Sequence, residues 1–297
     1  MNKLAPQVRR LATTCPPPPR SLRPPVCWAY LPSQLPYSLG LLLQETLVAN
    51  RLEARKLLAS PSSESLSSVD KARAEKRAET DILLLLQHTP VYTAGRREKD
   101  PEVAQAEAKR LGSLGADYVS TMRGGQTTYH GPGQLVGYSI MDIGAAELST
   151  RCYVDHLEKF LASLTTTLDV PVHPTEHTGV FVSPTLKIGS IGIHIRRRIT
   201  LHGFSLNIED QTLPWFRNIV ACGLDDVSAT CVESELRRIT SLESGLKVHD
   251  IVPLAVAGFG QEYGREMVRL GNGEEDVDVA SVIRDGVAGR LPPLAIP

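Results

Sequence analysis

Apolar residues recur at helical spacing along four stretches of the chain. The first begins at Leu39 and runs to about residue 59, and the others span residues 101–118, 147–168 and 246–270. An apolar stripe with charged residues opposite is typical of a surface helix that packs on a core. The spacing therefore predicts four helices.

Shorter apolar runs between these stretches predict strands. Residues 82–86, with the sequence ILLLL, form a run that the turn-forming segment QHTP ends. Residues 135–143 (LVGYSIMDI) make a second run, and residues 179–208 contain three more in GVFV, LKIGSIGIHI and LHGFSLNI. Runs of four to ten such residues with β-branched members favour buried strands.

Alternation within LKIGSIGIHI predicts how this strand faces the core. Ile191, Ile193 and Ile195 fall on one side together with Gly189, while Ile188, Ser190, Gly192 and His194 fall on the other. Successive side chains of a strand point to opposite faces. We expect the side of Ile191 to be core, with Lys187 at or near the start of the strand.

Three segments lack a folding pattern. Residues 1–25 are basic and proline-rich, and no acidic residue occurs before Glu45, which is the composition of a mitochondrial presequence. A disordered basic tail is the alternative. Residues 61–80 are Ser-rich and charged and predict an exposed insertion, and residues 272–297 predict a loosely packed tail. One folded domain over residues 26–297 remains.

Composition excludes several classes of protein. Hydrophobic content of 42% and charged content of 22% are those of an ordinary globular protein, and a formal net charge of −1 favours neither nucleic acid nor an anionic membrane. No apolar run reaches the roughly 18 residues of a membrane-spanning helix. The five cysteines form no C-x-x-C pair, so we expect no disulfide framework, a reducing compartment and at least one free thiol.

Residues 121–143 (TMRGGQTTYHGPGQLVGYSIMDI) stand out because glycines and hydrogen-bonding side chains alternate there. Glycine is needed where a backbone takes positive φ or approaches another group closely. The composition predicts a rigid polar loop held against a sheet, and such loops commonly carry function.

Three residues are candidates for chemistry. Cys222 lies in the turn sequence ACGLDD, and a free thiol, with a pKa near ~8.5, needs a partner to act as a nucleophile. Lys187 is either a solvated strand end or a proton-transfer group. His130 is either an acid/base or a histidine that stabilises its loop. A buried cysteine that behaves as a small hydrophobe is the alternative for Cys222, and it fits Cys152 and Cys231 well.

Metal and nucleotide sites are not predicted. His173 and His177 are separated by Pro174, and no histidine spacing resembles a zinc site. The chain has neither GxxxxGK[ST] nor G-x-G-x-x-G after a strand. The cluster at residues 196–198 (RRR) predicts a solvated β-turn, with a docking patch for an acidic partner as the alternative.

Taken together, these motifs resemble those of the lipoyl(octanoyl) transferases of lipoate biosynthesis, in their mitochondrial eukaryotic form. The likeness rests on RGGQTTYHGPGQLVGY, on QHTPVYTAGRR upstream, and on TGVFV, LKIGSIGIHI, LHGFSLNI and IVACGL downstream. It covers residues 28–270 and keeps the order and spacing of the family. Ala221 departs from the pattern, because the family usually has proline before the cysteine.

The resemblance implies an α/β (α+β) fold of the biotin/lipoate protein ligase type, with mixed β-sheets flanked by α-helices. It also implies that an octanoyl group passes from octanoyl-acyl carrier protein to an enzyme cysteine and then to a lysine of a lipoyl-dependent protein. The acceptors implied are lipoyl domains of 2-oxoacid dehydrogenase E2 subunits and the glycine cleavage H protein. No cofactor, metal, nucleic acid or membrane is implied, and a monomer in the mitochondrial matrix is expected.

The same resemblance assigns the site residues. The family's thioester-forming cysteine falls on Cys222 and its lysine partner on Lys187. The substrate-lining positions fall on Arg123, Gly124, Gly125, Gln126, Thr127, Thr128, Tyr129, His130, Ser190, Ile191, Gly192, Gly203, Phe204 and Ser205. Two rival functions stay open: an ATP-dependent lipoate–protein ligase on the same fold, and a non-catalytic module that binds lipoyl domains.

Overall fold

A computed structural model describes residues 15, 23–98, 100–220, 226–241, 245–270 and 277–292. The described helices are Tyr37–Leu58 (α1), Ser68–Glu79 (α2), Pro101–Gly112 (α3), Thr150–Thr167 (α4), Leu213–Phe216 (α5), Val232–Thr240 (α6), Val248–Tyr263 (α7) and Val277–Val287 (α8). The described strands are Val26–Leu35 (β1), Asp81–His88 (β2), Val91–Ala94 (β3), Asp117–Ser120 (β4), Thr128–His130 (β5), Gln134–Ile140 (β6), Val180–Ser183 (β7), Leu186–Arg196 (β8), Ile199–Asn207 (β9), Ser228–Ala229 (β10) and Met267–Arg269 (β11).

Eight of the described strands form one mixed sheet in the order β10-β8-β9-β6-β2-β1-β11, with β7 paired to β8. The central pairs β2–β6, β6–β9 and β8–β9 are antiparallel, whereas β1 runs parallel to both β2 and β11. A smaller sheet has the order β4-β3-β5. The glycine-rich stretch connects strands β4 and β5 of the small sheet and then enters the centre of the large sheet through β6.

The large sheet is buried on both faces, as the apolar run at residues 82–86 requires. Leu83 and Leu85 pack into a core shared with α4 and α7, and Leu84 and Leu86 pack into a second core shared with α1 and α8. All four leucine side chains are fully buried. Burial of a leucine contributes about 1.5–3 kcal/mol, so this strand is a large source of stability on both sides of the sheet.

The helices and strands predicted from periodicity are confirmed, but two segments differ from expectation. Residues 61–80 are not without structure: a 3₁₀ turn at Pro61–Ser65 leads into α2, which Ser67 caps through the Asp70 N–H. The one apolar face of α2 consists of Ala74 and Ala78, which are buried. Four residues apart, these two alanines lie on the same side of the helix.

The C-terminal segment also differs from the expected loose tail. Within it, α8 places Val279 and Ile283 in the same core as Leu43 and Leu47 of α1. These two residues are also four positions apart and so share a helix face. The tail is therefore a packed helix over this range.

The glycine-rich segment and strand β8 also differ in part from expectation. The central loop contains a strand, β5, that pairs with β3. The side of β8 that carries Ile191, Ile193 and Ile195 is only half-buried, whereas Ile188 is in the core. The three isoleucines pack against this core from its edge and also line a cavity, so the predicted core face is only partly covered.

A disulfide that the sequence did not predict joins Cys15 to Cys152 of α4, with their Cα atoms 5.3 Å apart. Cys27 and Cys231 are buried thiols that are not disulfide-bonded within the described residues. Cys231 accepts the Ser234 N–H at the start of α6, and burial raises the pKa of its thiol to about 12. Cys231 therefore fits the prediction of a structural thiol.

A buried carboxylate ties three arginines from distant segments of the chain to the sheet. Asp81 is fully buried; its Oδ1 accepts from Arg51 at 2.9 Å and from the Asp142 N–H at 2.9 Å. Its Oδ2 accepts from Arg23 at 3.1 Å and from Arg265 at 3.0 Å. A carboxylate has about four acceptor positions, so all of them are used. No helix in the described part of the chain is long and apolar enough to cross a membrane.

We predict that Asp81→Asn lowers the free energy of unfolding by about 3–5 kcal/mol, because it leaves buried arginines without their counter-charge. Urea denaturation would measure the change. Asp117→Asn, on an exposed position of β4, is the control and should stay within about 0.5 kcal/mol of the parent protein. A loss at Asp81 no larger than that of the control would contradict the prediction.

Candidate functional site

A cavity of about 680 Å³ opens between the two sheets. Its size falls within the range of about 300–1,000 Å³ that is usual for small-molecule sites. The walls come from the glycine-rich loop, the loop after β3, strands β5, β6, β8 and β9, and the first turns of α1 and α4. Val136, Val154, Ile191, Ile193 and Phe204 make part of this wall apolar.

The polar floor of the cavity consists of buried histidines and tyrosines. His130 and His202 line it together with Tyr37 and Tyr138. The rings of Tyr37 and His130 are stacked at 6.2 Å, and Tyr37 Oη lies 3.4 Å from His202 Nδ1. Behind the floor, His88 Nε2 lies 2.5 Å from Tyr138 Oη. Three imidazoles from three different strands therefore meet at one place.

Hydrogen-bond partners determine the tautomer of two of these imidazoles. His88 Nδ1 lies 2.7 Å from the Leu35 carbonyl, which only accepts, so this nitrogen carries the proton and Nε2 accepts from Tyr138. Gln134 Nε2 donates to the Tyr129 carbonyl and to Asn207 Oδ1. Its Oε1 therefore accepts from His130 Nδ1 at 2.7 Å.

Burial keeps the histidines neutral. It lowers the pKa of His88 to about 4, that of His130 to about 3 and that of His202 to about 3. The His88 imidazole adds to the effect on His130, and the Arg123 guanidinium adds to that on His202. Burial also raises the pKa of Tyr37 to about 12. The floor is thus polar but uncharged at neutral pH.

His202 is held in an uncommon backbone conformation, with φ of 60°. Its N–H donates to Gln44 Oε1 of α1 at 2.6 Å. A non-glycine residue in the left-handed region costs on the order of 1–3 kcal/mol and occurs most often at functional sites. The bond from α1 fixes the conformation that brings the imidazole to the cavity.

Arg123 braces the glycine-rich loop. Its guanidinium is buried and donates to Thr93 Oγ1 at 2.8 Å, to the Gly124 carbonyl at 3.0 Å and to the Gln126 carbonyl at 3.0 Å. The Gly124 N–H donates to the Ile193 carbonyl at 2.9 Å, so that amide is not available to bind the oxygen of a substrate. The loop is rigid because side chain and backbone are both bonded.

Lys187 occupies one wall of the same cavity, near the start of β8, and it is buried. Its Nζ donates to the Thr178 carbonyl at 3.0 Å and lies 5.4 Å from the centre of the Phe181 ring. The prediction of a solvated strand end is therefore wrong. A buried ammonium at a cavity wall can exchange a proton with a bound group.

Cys222 lies outside the described residues. The chain that follows it returns to Lys187, because Ala229 of β10 is paired with Lys187 of β8 and the Thr230 N–H donates to the Lys187 carbonyl at 2.9 Å. Only six positions separate Cys222 from Ser228, the first residue of β10.

The structure brings most of the predicted substrate-lining residues to this cavity. They are Arg123, Gly124, Gly125, Thr128, His130, Ser190, Ile191, Gly192, Gly203, Phe204 and Ser205. Gln126, Thr127 and Tyr129 do not line it. The Tyr129 ring instead stacks on Trp215, with centroids 5.4 Å apart, in the core of the small sheet.

Several residues that line the cavity were not predicted. Tyr37, Tyr138 and His202 form its floor, and Arg96 and Arg97 lie at its mouth. Tyr138 ends the motif RGGQTTYHGPGQLVGY, and its alternation with Val136 in β6 is the signal that the sequence offers. His202 lies in the motif LHGFSLNI, next to the predicted Gly203, whereas Tyr37 lies outside the motifs and its role depends on contacts across the fold.

The cluster at residues 196–198 is a turn, as predicted. Arg197 and Arg198 have φ of 49° and 71° between β8 and β9. Arg196 pairs with Glu45 at 2.7 Å, and Arg198 donates to the Leu148 carbonyl at 2.7 Å. Among the described residues, no group of three or more His, Cys, Asp or Glu side chains is placed to hold a metal ion.

Comparison with known proteins assigns the class. Residues 65–260 match the family described as Lipoyl protein ligase A/B catalytic domain. This match covers 196 of the 297 residues, so the chain belongs to that family.

Similar sequences narrow the assignment to the octanoyltransferases. The chain is 43% identical over 158 residues to a mitochondrial octanoyl-[acyl-carrier-protein]:protein N-octanoyltransferase of Danio rerio, which covers 53% of this chain and 69% of that protein. It is 37% identical over 195 residues to an octanoyltransferase of Koribacter versatilis, and this match covers 64% of this chain and 74% of that protein. The resemblance found in the motifs is thereby confirmed, and the protein is an acyltransferase.

Solved structures share the fold at low identity. Lipoate-protein ligase A bound with ATP superposes with a TM-score of 0.57 at 11% identity, covering 89% of this chain and 95% of that one. An archaeal bipartite lipoate protein ligase from Thermoplasma acidophilum superposes with a TM-score of 0.54 at 13% identity, covering 92% of this chain and 100% of that one. The predicted fold class, mixed sheets flanked by helices as in lipoate ligases, is confirmed.

We predict that His88, His130 and His202 keep neutral-form imidazole shifts between pH 8 and pH 5 in ¹H–¹⁵N spectra, assigned with single His→Gln variants. Unfolded histidines have a pKa near 6.5. As the pH falls below about 6.5, the unfolded chain takes up protons that the buried imidazoles of the folded protein do not bind. The free energy of unfolding should therefore fall.

The urea-unfolded protein is the reference, since all its histidines should titrate near ~6.5. Urea denaturation at pH 7.5 and pH 5.5 would measure the accompanying loss of stability. A titration midpoint above pH 6 for any of the three in the folded protein would contradict the neutral floor.

Proposed function

We propose that this protein transfers an octanoyl group from octanoyl-acyl carrier protein, through a thioester on Cys222, to a lysine of lipoyl-dependent proteins. The observation that carries the proposal is the buried Lys187 ammonium at the wall of a half-apolar cavity of about 680 Å³. The acceptors are lipoyl domains of 2-oxoacid dehydrogenase E2 subunits and the glycine cleavage H protein. The enzyme acts as a monomer in the mitochondrial matrix.

In the first step the Cys222 thiolate attacks the thioester carbonyl of the donor. A new carbon–sulfur bond forms, the bond to the carrier sulfur breaks, and the carrier thiolate takes the proton that the Cys222 thiol gave up. The Lys187 amine takes the proton of the Cys222 thiol, which gives the ammonium and thiolate, and the ammonium then donates this proton to the carrier thiolate and is left as the amine. A neighbouring ammonium lowers the pKa of a thiol and so supplies the thiolate.

In the second step the acceptor amine attacks the enzyme thioester. A carbon–nitrogen bond forms, the bond to Cys222 sulfur breaks, and the proton lost by the amine passes through Lys187 to the leaving thiolate. The thioester already carries the activation of the acyl group, so neither step consumes ATP.

The apolar wall suits the acyl chain. Val136, Ile191, Ile193 and Phe204 lie beside the glycine-rich loop, and each CH₂ that they remove from water contributes about 0.8 kcal/mol. The neutral floor accepts an uncharged chain without leaving an ion to desolvate. These features support an acyl group rather than a charged substrate.

The mouth of the cavity suits an anionic donor. Arg96 and Arg97 line it, and both are exposed. Within the described part of the chain neither side chain forms an ion pair. The Arg96 N–H donates to the Arg123 carbonyl at 3.0 Å, which fixes the loop to the braced glycine-rich segment. The phosphopantetheine arm of a carrier protein would bring a phosphate to this position.

Intact-protein mass spectrometry after incubation with octanoyl-carrier protein, without ATP, tests the proposal. We expect one octanoyl mass on the wild-type protein and on Cys152→Ala and Cys231→Ala, and none on Cys222→Ala. Lys187→Gln should retain the thiol but form the adduct much more slowly.

The rival functions give different results in this experiment. Amide formation that requires ATP and free octanoate, and survives Cys222→Ala, would identify a lipoate–protein ligase. Binding of lipoyl domains without any acyl transfer would identify a non-catalytic module. Loss of the adduct in Cys231→Ala alone would contradict the assignment of the nucleophile.

We predict that the double variant Arg96→Ala/Arg97→Ala lowers kcat/KM for octanoyl-carrier protein by about tenfold, equivalent to about 1.4 kcal/mol. It should leave transfer from octanoyl-N-acetylcysteamine unchanged, because that donor has no phosphate. Arg197→Ala, in the exposed turn after β8, is the control. An equal loss with both donors would contradict donor recognition at the mouth.

A further inference from the structure

Three parts of the fold meet at the Lys187 ammonium. Lys187 Nζ donates to the carbonyl of Thr178 at 3.0 Å. The next N–H along the chain, that of Gly179, donates to Glu158 Oε1 at 2.7 Å. Glu158 lies on α4, on the same face as Thr150 and Val154, which line the cavity.

The two bonds use opposite ends of one peptide group. The Thr178 carbonyl and the Gly179 N–H belong to the same planar unit, and in a trans peptide they point in opposite directions. The carboxylate of Glu158 therefore lies at the positive end of the peptide dipole, and the ammonium of Lys187 lies at its negative end. Hydrogen bonds in such a chain polarise one another and gain strength.

Glycine is required for this arrangement. Gly179 has φ of 123°, a conformation that side chains rarely permit. A Cβ at this position would lie 2.6 Å from Lys187 Cε and 2.6 Å from the Gly189 carbonyl oxygen. The missing side chain is what allows the lysine to approach the peptide.

We propose that Glu158 is a positioning residue, which holds the Thr178–Gly179 peptide so that its carbonyl fixes the Lys187 ammonium at the cavity wall. The inference rests on the proposed function, because it assigns Lys187 to proton transfer. Glu158 does not line the cavity and acts only through the peptide.

The environment of Glu158 supports a role beyond packing. Burial is the main cause that raises the pKa of its carboxyl, and Asp155 adds to this, while the Gly179 N–H and Lys187 oppose it. A half-buried carboxylate is costly to desolvate. In this case its charge is offset by the aligned peptide and, beyond it, by the ammonium.

Two substitutions separate the hydrogen bond from the charge. Glu158→Ala removes the acceptor for the Gly179 N–H, and we expect kcat for octanoyl transfer to fall on the order of tenfold to a hundredfold, as for other residues that orient a reacting group. KM for donor and acceptor should not change. Glu158→Gln keeps an acceptor oxygen and should recover most of the lost kcat.

Glu262→Ala is the matched control. Its carboxylate also bonds a residue of α4, accepting from His156 Nδ1 at 2.6 Å, whereas Glu158 accepts from the Gly179 N–H. This variant should keep wild-type kcat. If Glu158→Ala does not fold, Glu158→Gln takes its place. Its thermal unfolding should be native-like, and its kcat is then compared with that of the parent protein.

A second readout does not need the acyl transfer. Limiting acetic anhydride, followed by peptide mass spectrometry, measures how fast Lys187 is acetylated relative to the exposed Lys159. We expect several-fold faster labelling of Lys187 in Glu158→Ala than in the wild-type protein, and wild-type labelling in Glu262→Ala. If the wild-type enzyme transferred no octanoyl group, the proposed function would fail while this comparison still tested the positioning.

Unchanged kcat and unchanged Lys187 labelling in a folded Glu158→Ala would overturn the inference. Equal losses of kcat in Glu158→Ala and Glu158→Gln would overturn it as well, because the hydrogen bond would then not be what matters.

Discussion

The fold depends on how a single buried carboxylate is satisfied. Asp81 begins the central strand β2 and takes two hydrogen bonds on each oxygen, from Arg23, Arg51, Arg265 and the Asp142 N–H. These donors belong to the segment before β1, to α1, to the segment before β11 and to the end of β6. Because loss of a partner from a buried charge is costly, Asp81 fixes helix α1 and the segments before β1 and β11 relative to the central strands. The cavity is built on that frame.

Much of the fold was predictable, and the parts that were not have a physical reason. Strand β2 and helices α1, α4 and α7 bury enough apolar surface for their periodicity to appear in the sequence. Helix α2 buries only Ala74 and Ala78, so charged residues conceal it; its evidence was local, in the Ser67 cap and in good helix formers. Helix α8 likewise places few residues in the core, Val279 and Ile283, so its periodicity is weak in the sequence.

The candidate site, like the fold, is predictable from the sequence only in part. Lys187 and the glycine-rich loop were found because motifs lie together in sequence, whereas His88, His130 and His202 meet only through the pairing of separate strands. The orientation of Tyr129 follows from strand geometry. In a strand, neighbours point to opposite faces, so Thr128 and His130 at the cavity require Tyr129 to point away, into the core with Trp215.

Charge is distributed unevenly around the cavity, and under the proposed function that distribution would set the direction of a bound acyl group. Lys187 lies at one wall, Arg96, Arg97 and Glu176 are exposed at the lining, and Arg123 is buried in the glycine-rich loop, while burial keeps the floor histidines neutral. A thioester carbonyl, on which negative charge develops during transfer, is stabilised near an ammonium, and a hydrocarbon chain is best placed where no ion must be desolvated. Under the proposed octanoyl transfer, we expect the carbonyl at the Lys187 wall and the chain toward Val136 and Phe204, with the leaving sulfur facing the mouth where Arg96 and Arg97 lie.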